Sequence, residues 1–539
     1  MDNNLLIDHW LTITNASGER QKVNLPELFS ALERNDVLDF PALMPHQRGP
    51  FHVFLTQLAC HALQTSGMDE NLPPADPNKP WTLLGEHTPE GWLSMIRGIV
   101  PDYAQIYPTD EPWCFCVDDP AMPAFLQCPD PENKCKDLDK TYDKPDDLDL
   151  KISSKNHFVK SATFAHAEVE YWVLALISLQ TNAGYLGPGN FGCARQNGGW
   201  SQRPVFTLQK TSSPGARLGR DARIILTCKG TENDKLYGVC ESDGKRLLWL
   251  DPWDGKTSYE PSELHPLFIE ISRRVRVMRD GDDFKLMRGT SKCTRINSKQ
   301  LGGNLGDPWE PTVSNNKGVT SVFASGLDYA NIAKILCDAD GMSKNMLLYY
   351  HDGIDSKDGL ELWCSAIVKG QGKTEGYYER IIPVNARKLR LARNLWTYAS
   401  RMLDLADEAR KVYRIVAAVY LSCRKAEADI NWQESSIKTC LPKLVDVFDR
   451  EIDNAFFEVF WAIAQEIEDG EELNESRLDI WRVRLAAIVR TCYRRDVLTL
   501  PGNASTHLKA KALSEIRMGQ LIAKHLLPAK EEEDNNAAS

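Results

Sequence analysis

The clearest pattern along the chain is a helical repeat of apolar residues in its last third. From Leu391 to Tyr420, apolar side chains recur every three or four positions over about eight helical turns. Similar segments follow at about 443–468, 475–496 and 505–526. Glycine is absent between 391 and 469, so little interrupts these segments. Four long helices joined by short breaks predict a C-terminal four-helix bundle.

The pattern upstream of Pro383 is mixed. Leu25–Phe29, Phe51–Leu63 and Ala165–Leu179 have the apolar content and spacing of helices. Short segments that are rich in β-branched and aromatic residues and bounded by Gly, Asp or Pro predict strands. These segments are Arg223–Cys228, Arg246–Leu250, Arg274–Met278 and Leu362–Val368. We therefore predict an α+β fold, with a mixed α/β body over residues 1–384, the four-helix bundle over 385–530 and a polar tail over 531–539.

Composition limits the class of protein. The 539 residues are 42% apolar and 26% charged, values that are ordinary for a globular protein and exclude general disorder. No apolar run has the ~18–20 residues that span a bilayer, and the N-terminus lacks the basic and apolar segments of a signal peptide. We therefore expect a cytoplasmic protein whose 14 cysteines are reduced thiols. Their spacing predicts no metal site.

The net charge of −11 conceals a strong local asymmetry. Residues 129–149 contain eight acidic residues and four lysines, which predicts a solvated, mobile insertion. Residues 195–229 contain seven basic residues and one acid, and residues 271–299 contain nine basic residues and three acids. Such clusters in an acidic protein predict contact with a polyanion. The alternative is a solvated face that keeps the protein soluble.

The segment Gly370–Thr374 ends like a phosphate-binding P-loop. A P-loop needs a glycine where this chain has Ile367, and it leads into a helix. The residues after Thr374 are instead aromatic and β-branched and stop at Pro383. The segment therefore predicts a short loop after a strand, with side-chain donors that can reach a groove or a phosphate. These donors are Gln371, Lys373 and Thr374.

A second glycine-rich segment spans Gly184–Gly199. Some of its glycines have the spacing of a dinucleotide fingerprint, but the segment follows a predicted helix instead of a strand, and no helix begins after it. Missing side chains let the backbone approach a ligand closely, with Arg195 and Asn197 as donors beside it. A long turn that needs positive φ values explains the same composition, so both interpretations stay open.

A third segment, residues 155–160, combines two lysines with an amide, an imidazole and an aromatic ring. Its members are Lys155, Asn156, His157, Phe158 and Lys160. This set suits phosphate contacts and base stacking, and an ordinary loop is the alternative. Hydrolase motifs of the G-x-S-x-G and H-E-x-x-H types do not occur in the chain.

The N-terminal segment Asn4–Trp10 resembles the opening of the CasA family, the large subunit of the type I-E CRISPR surveillance complex, Cascade. The order that follows is also similar: a loop before an apolar helix, a glycine loop after it, a mixed β body and a C-terminal four-helix bundle. Gly370–Arg380 resembles the loop segment that closes the body in this family. The resemblance covers essentially the whole chain.

The resemblance implies nucleic-acid recognition without catalysis and without a cofactor. Subunits of this kind contact the 5′ handle of the guide RNA and assemble with the backbone, handle-binding and small subunits of Cascade. They recognise the protospacer-adjacent motif of double-stranded target DNA from the minor groove and open the duplex for R-loop formation. They also dock the recruited helicase–nuclease.

The resemblance also assigns the candidate residues. The handle loop would be Lys155–Lys160, with Phe158 against a base, and the minor-groove loop would be Gly189, Phe191 and Gly192. Lys317 would reach the groove from a hairpin, and the wedge that separates the strands would lie in Gly370–Gly376. Some relatives carry a cysteine cluster that this chain lacks, so no metal is implied. The alternative function is a nucleic-acid-stimulated NTPase or nuclease that uses the Gly370–Thr374 loop.

Overall fold

The chain forms two compact units in a computed structural model. The described residues are 2–148, 168–227, 243–313, 318–319, 326–370, 373–424, 427–500 and 504–527. The body unit comprises Met1–Leu327 and Asp340–Arg387, and the helical unit comprises Asp328–Ala339 and Lys388–Ser539. The predicted α+β class, with strands in small sheets and a helical C-terminal region, is confirmed.

Helices and strands follow one another along the body unit, and the helical unit is built from helices. The α-helices are α1 (Leu25–Glu33), α2 (Arg48–Thr65), α3 (Pro89–Arg97), α4 (Tyr103–Ile106), α5 (Val169–Asn182), α6 (Pro214–Thr227), α7 (Tyr329–Leu336), α8 (Ala392–Ser422), α9 (Ser435–Gln465), α10 (Asp479–Cys492) and α11 (Ala504–His525). The strands are β1 (Asp2–Asn4), β2 (Leu11–Thr14), β3 (Arg20–Val23), β4 (Cys114–Cys116), β5 (Lys140–Tyr142), β6 (Val205–Gln209), β7 (Lys245–Leu247), β8 (Leu264–Ile269), β9 (Val275–Asp280), β10 (Asp283–Arg288), β11 (Thr312–Val313), β12 (Gly318–Val319), β13 (Met342–Ser343), β14 (Leu360–Gly370) and β15 (Lys373–Val384).

Helix α2 lies in the core of the body unit. All its residues from Gly49 to Leu63 are buried, and it packs against α3, α5 and α6. Helix α5 is buried on nearly all sides as well. Helices that are buried around their whole circumference belong to an interior, so these two predicted helices form the centre of the body.

Helix α6 corrects one prediction. The segment Arg223–Cys228 was expected to form a strand because Ile224 and Ile225 are β-branched, but residues up to Thr227 belong to this helix. The helix begins at Pro214, a residue that suits a first turn, and it buries Leu218, Ala222 and Leu226 along one side. Its helical apolar spacing therefore overrides the local strand preference.

The sheet that matters most for function is antiparallel, with strand order β15–β14–β6. Strands β14 and β15 pair from Leu360–Val384 to Gly370–Lys373, with one irregularity after Val368, and form a long hairpin. Strand β6 pairs only with Glu361–Ser365 of β14. The long hairpin, residues 360–384, therefore continues well beyond the end of the third strand.

The acidic segment 129–149 is anchored to the body unit where it is described, up to Leu148, while most of its charged side chains are exposed, as expected of a solvated segment. Its strand β5 pairs with β10, and Cys135, Leu138 and Leu148 are buried. Asp137 accepts two hydrogen bonds from Arg274, at 2.6 Å (Nη1–Oδ2) and 3.0 Å (Nη2–Oδ1), and these bonds hold the pKa of Asp137 below its usual value. The acidic segment thus neutralises part of the basic one.

The helical unit contains the four predicted helices as α8, α9, α10 and α11, and α8 packs against each of the other three. Helix α9 begins at Ser435, upstream of the predicted start, and includes Pro442. Burial of Ile437 and Leu441 stabilises the helical turns that precede this proline. Helix α7 belongs to the same unit and packs on α8 and α9, with the Tyr329 ring 5.0 Å from that of Phe456. Among the described helices, none is long and apolar enough to cross a membrane.

Candidate nucleic-acid interface

The predicted site residues divide into those that the structure describes and those that it does not. The residues outside the described part are Lys155, Asn156, His157, Phe158, Lys160, Lys317 and Gln371. Lys373 and Thr374 are described through the backbone of β15. The glycine loop, residues 184–199, is described throughout and contains Gly189, Phe191, Gly192, Arg195 and Asn197.

The glycine loop is a closed double turn between α5 and β6. The Tyr185 N–H donates to the Gly199 carbonyl at 2.7 Å, and the Gly192 N–H donates to the Gly198 carbonyl at 3.0 Å. A tighter turn lies inside it, where the Leu186 N–H donates to the Asn190 carbonyl at 2.9 Å. The loop therefore fixes its own backbone through internal hydrogen bonds.

Two of its glycines are required by this packing. A Cβ on Gly192 would lie 2.4 Å from the Gly199 carbonyl oxygen. Gly189 has φ +73°, and a Cβ there would lie 2.5 Å from the Cβ of Thr290. The long-turn interpretation therefore accounts for these positions. Gly187 differs, because it has φ +108° and open space around it at the surface tip of the loop.

Arg195 does not reach the surface. Its side chain is fully buried, its guanidinium lies 3.8 Å above the Phe268 ring, and its Nη2 donates to the Phe268 carbonyl at 3.0 Å. The expectation that Arg195 offers donors to a ligand is therefore wrong. Asn197 is exposed, Phe191 is half-buried beside the Tyr185 ring, and Gly192 is buried.

The two basic segments do not form a positive face either. Most of their arginines are buried, namely Arg195, Arg203, Arg220, Arg223, Arg273, Arg274, Arg276, Arg288 and Arg295. Arg276, for example, donates to the carbonyls of Val117, Asp119 and Met122 at 2.7 to 2.9 Å. Burial lowers the pKa of Arg273 to about 9. Both sequence interpretations, a polyanion-binding face and a solvated face, are wrong for these arginines.

The choice of arginine over lysine was the signal that could have revealed this packing. A guanidinium has five donors in a fixed plane and can satisfy several carbonyls of an irregular body at once, whereas lysine is strongly hydrated. The lysines of the second segment follow this rule, since Lys292 and Lys299 are exposed and Lys285 is partly exposed.

A buried charge network lies beneath the glycine loop; we define it as Arg195, Arg203, Glu270, Asp307 and Glu310. Arg203 donates to Asp307 through both Nε and Nη2, the latter at 2.8 Å. Burial alone would raise the pKa of Asp307, but the two arginines hold it below its usual value. Burial, together with the charge of Asp307, raises the pKa of Glu310 well above its usual value.

This network connects three of the predicted elements. In the glycine loop, the side chain of Gln196 donates to Glu310, and the backbone of Ala194 donates to Glu270. Glu310 stands just before β11, which pairs with β12 through Val313 and Gly318, and the predicted residue Lys317 lies between these two strands in the sequence. Arg203 shares a small cavity with Ile367 and Tyr377 of the long hairpin. The glycine loop and both hairpins are thus tied to one cluster.

The long hairpin has no P-loop geometry. Gly370 pairs with Lys373 and Lys369 pairs with Thr374, so the residues on both sides of Gln371 and Gly372 belong to two antiparallel strands. Lys373 and Thr374 belong to a strand, whereas a P-loop places these residue types at the start of a helix. The arrangement that the NTPase alternative needs is therefore absent from the described strands.

The group nearest to a catalytic constellation is also structural. His52 Nε2 lies 2.9 Å from Asp221 Oδ2, and Thr207 donates to the other oxygen of Asp221 at 2.6 Å. The hydroxyl therefore bonds to the carboxylate instead of the imidazole, which is not the order that a nucleophile and its base require. Burial lowers the pKa of His52 even though Asp221 opposes this shift.

Sequence reasoning missed one aromatic cluster at the end of the glycine loop. Trp200 is 41% exposed, and its ring lies 4.7 Å from that of Tyr185 in an edge-to-face arrangement. Leu186, the residue after Tyr185, is 37% exposed. The available signal was a tryptophan directly after Gly198 and Gly199 in a polar loop, a position with no apolar periodicity to bury it.

Comparison with known proteins identifies relatives of this fold. Residues 4–325 match the family model described as CRISPR-associated protein Cse1. No curated protein matches the chain.

Several solved structures resemble the chain over nearly its full length. CasA (Cse1) of Thermus thermophilus is 16% identical, with 97% of this chain and 99% of that chain covered and a TM-score of 0.60. Cse1 of Acidimicrobium ferrooxidans is 14% identical, with 98% and 99% covered and a TM-score of 0.62. Cse1 of Thermobifida fusca is 12% identical, with 97% of each chain covered and a TM-score of 0.64. At these identities the similarity shows the fold.

Proposed function

Because the chain belongs to the Cse1 (CasA) family of CRISPR-associated proteins, we propose that it is the large subunit of a type I-E Cascade complex. In this role it recognises the protospacer-adjacent motif of double-stranded DNA from the minor groove and initiates strand opening for R-loop formation. It then docks the recruited helicase–nuclease. The subunit itself catalyses no reaction.

The observation that carries this proposal is the common anchoring of the glycine loop and the two hairpins on the buried charge network. A minor groove about 6 Å wide admits only narrow elements such as backbone turns and single side chains. The surface tip of the glycine loop at Gly187 is such an element, and Asn197 is an exposed donor on the same loop. Rigid anchoring matters because a reader of base edges must keep its donors in register with them.

The long hairpin suits the role of the wedge. It continues beyond β6 as two paired strands up to the pair Gly370 and Lys373, which Gln371 and Gly372 separate in the sequence. Opening the first base pair costs on the order of one stacking step, about 1–2 kcal/mol, which a few polar contacts can offset. We assign this role to Gln371, Lys373 and Thr374.

The guide-RNA contact is assigned to Lys155–Lys160, which lies outside the described residues. Phe158 supplies the stacking ring, and Lys155 and Lys160 supply phosphate contacts. Phe158→Ala should reduce co-purification of the chain with guide RNA and the other Cascade subunits, while its thermal unfolding temperature stays unchanged. Normal assembly of this variant would remove Phe158 from the site.

The decisive experiment compares strand opening on two DNA targets. The triple variant Gln371→Ala, Lys373→Ala, Thr374→Ala should slow opening of a duplex target and bind a pre-melted target almost normally, since no base pair is left to separate. The matched control replaces exposed residues of the same three types, Gln300, Lys299 and Thr211, with Ala. Equal losses on both targets would overturn the wedge assignment and leave a general phosphate contact.

The same variant also tests the alternative function. An NTPase that uses Gly370–Thr374 would lose nucleotide binding when Lys373 is replaced by Ala. The subunit proposed here should neither hydrolyse ATP nor cut DNA in the presence of Mg²⁺. Hydrolysis by the wild-type chain that Lys373→Ala abolishes would favour the enzyme.

A further inference from the structure

Trp200 is an exception among the tryptophans of the body unit. Its side chain is 41% exposed, whereas eight of the nine other indoles of the body unit are at most 4% exposed and that of Trp81 is half-buried. The eight buried ones are Trp10, Trp92, Trp113, Trp172, Trp249, Trp253, Trp309 and Trp363. An indole is the largest apolar side chain and gains more from burial than almost any other, so its exposure at a defined place needs a reason.

The exposed indole is held in place by its surroundings. Its ring meets the Tyr185 ring edge to face with 4.7 Å between centroids, and Tyr185 in turn lies 6.2 Å from the Phe191 ring. The backbone beneath it is tightly packed, because a Cβ on Gly184 would lie 2.2 Å from the Trp200 carbonyl oxygen. The Tyr185 N–H also donates to the Gly199 carbonyl at 2.7 Å. The result is a preformed aromatic platform, which loses little conformational entropy when it binds.

The chain that joins Trp200 to β6 passes the part of the long hairpin that extends beyond β6. Val205 begins β6 and pairs with Ser365 of β14 in an antiparallel register. Because the two strands are antiparallel, the chain traced backward from Val205 leaves β6 in the same direction as β14 runs from Ser365 to Gly370. Gln202 and Arg203 on this path line a small cavity with Ile367 of β14 and Tyr377 of β15.

We propose that Trp200, supported by Tyr185, is a stacking subsite for an unpaired nucleobase that is released where the long hairpin opens the duplex. This inference rests on the proposed function and extends it to the single-stranded product of opening. Aromatic faces bind any base, so the subsite would stabilise the opened state without adding sequence preference.

The chemistry around Trp200 favours a base over a phosphate. The exposed side chains of the glycine loop that precedes Trp200 are Leu186, Pro188 and Asn197, which carry no charge. The arginines near this part of the chain, Arg195 and Arg203, are buried and pair with Phe268 and Asp307. A phosphate would find no accessible guanidinium among these groups, whereas a flat apolar base matches the indole face.

The test uses the full-length chain and two DNA probes of one sequence. The first is a fully paired duplex, and the second is a fork whose first unpaired base is 2-aminopurine. Trp200→Ala should weaken binding of the fork about five- to 150-fold, the range for loss of one stacked base, and should remove the quenching of 2-aminopurine fluorescence. Affinity for the paired duplex should change less than twofold. The salt dependence should stay the same, because no phosphate contact is lost.

Two further variants make the result specific. Trp200→Phe should retain most of the fork affinity, because a smaller ring still stacks. Met278→Ala is the matched control, because Met278 is also 41% exposed on the body unit, and it should bind both probes like the wild type.

The possible failures are distinguishable. If the wild type prefers the fork and Trp200→Ala binds it equally well, the subsite is wrong and the proposed function stands. Equal weakening of duplex and fork, or a loss that Trp200→Phe does not restore, would also overturn the subsite. If the wild type shows no preference for the fork at all, the proposed strand opening fails together with the subsite.

Discussion

Arg203 and Asp307 are 104 residues apart in sequence and form a two-point ion pair inside the body unit, with Nη2 of the arginine 2.8 Å from Oδ1 of the aspartate. Arg203 stands two residues before β6, and Asp307 stands five residues before β11. One ion pair therefore fixes the relation between the sheet that carries the long hairpin and the strand pair β11–β12.

Removal of one partner of this pair should be costly. Arg203→Met leaves the Asp307 carboxylate buried without its main partner, and we expect a loss of about 3–5 kcal/mol in the free energy of unfolding. Urea denaturation of the full chain measures this loss. The double variant Arg203→Met, Asp307→Leu should recover part of it, because no uncompensated charge is left. A loss below about 1 kcal/mol in the single variant would mean that the pair is not buried in solution.

Replacement of Glu310 should increase the stability of the chain, whereas replacement of Arg203 should decrease it. Its raised pKa means that the folded chain keeps a proton that the unfolded chain releases above about pH 4.3. Stability therefore falls as the pH rises from there toward the folded-state pKa. Glu310→Gln removes this penalty and keeps an acceptor for Gln196. The variant should gain stability over the wild type, and the gain should grow from pH 5 to pH 8 in urea denaturation.

The control for this pH dependence is Glu132→Gln, a change at an exposed position. Its stability difference from the wild type should stay nearly constant over the same pH range. A Glu310→Gln variant that is less stable at pH 8 than at pH 5, relative to the wild type, would show that Glu310 is ionised in the folded chain.

Charge reversal in the second basic segment should unfold the body instead of weakening a surface contact. Arg276 donates to three backbone carbonyls, and each carbonyl left unpaired costs about 1–3 kcal/mol. Arg276→Glu should therefore abolish the cooperative thermal transition of the body unit. Lys292→Glu, at an exposed position in the same segment, should leave the unfolding temperature nearly unchanged. Similar effects of the two variants would contradict the observed burial.

The glycine loop offers a test of close packing. Gly192→Ala places a Cβ 2.4 Å from the Gly199 carbonyl oxygen, and neither backbone segment can move away without a large cost in free energy. We expect faster hydrogen exchange at the amides of Tyr185 and Gly192 and weaker duplex binding. Gly519→Ala in α11 is the control, because no atom lies within 4 Å of its added Cβ. It should stabilise the chain by about 0.5–1 kcal/mol, the helix-propensity difference. Unchanged exchange in Gly192→Ala would mean that the loop is open in solution.

Helix α7 makes the division between the units testable. A shortened chain that ends at Arg387 keeps α7 without α8 and α9, which leaves Tyr329, Ile332 and Leu336 without their packing partners. This chain should aggregate in size-exclusion chromatography. A second chain, with residues 328–339 replaced by a Gly/Ser linker, should be monomeric. Aggregation of both chains would show that the two units depend on one shared core. The domain boundary predicted between residues 384 and 385 would then be wrong.

The helical unit was predictable because its order is local. Apolar side chains at steps of three and four define α8 from Leu395 to Tyr420 without reference to any other part of the chain. The strand pair β14 and β15 was half predictable for a similar reason. Leu362–Val368 has strand composition, and the glycines after it indicate a turn. The return strand was recognised only as a segment without helical character.

The charged segments were not predictable in the same way. Arg274 pairs with Asp137, 137 residues away, and Arg276 with carbonyls more than 150 residues away. Charge density along the sequence cannot distinguish a guanidinium that faces solvent from one that meets distant carbonyls. Prediction of the candidate site failed for the same reason. Arg195 stands in a glycine-rich segment typical of a ligand contact, but its side chain is packed in the core over the Phe268 ring.

The position of α7 has a consequence for synthesis of the protein. The helix is made before the last body segment, Asp340–Arg387, and before both helices that cover it. At about 5–20 residues per second, a ribosome takes several seconds to reach the end of α8 after α7 has been made. During that interval the apolar face of α7 has no partner, while most of the body unit can already collapse. The helical unit is therefore completed late, when α8 and α9 cover the α7 helix that was made before them. A chaperone that binds short apolar helices could bind α7 in the meantime.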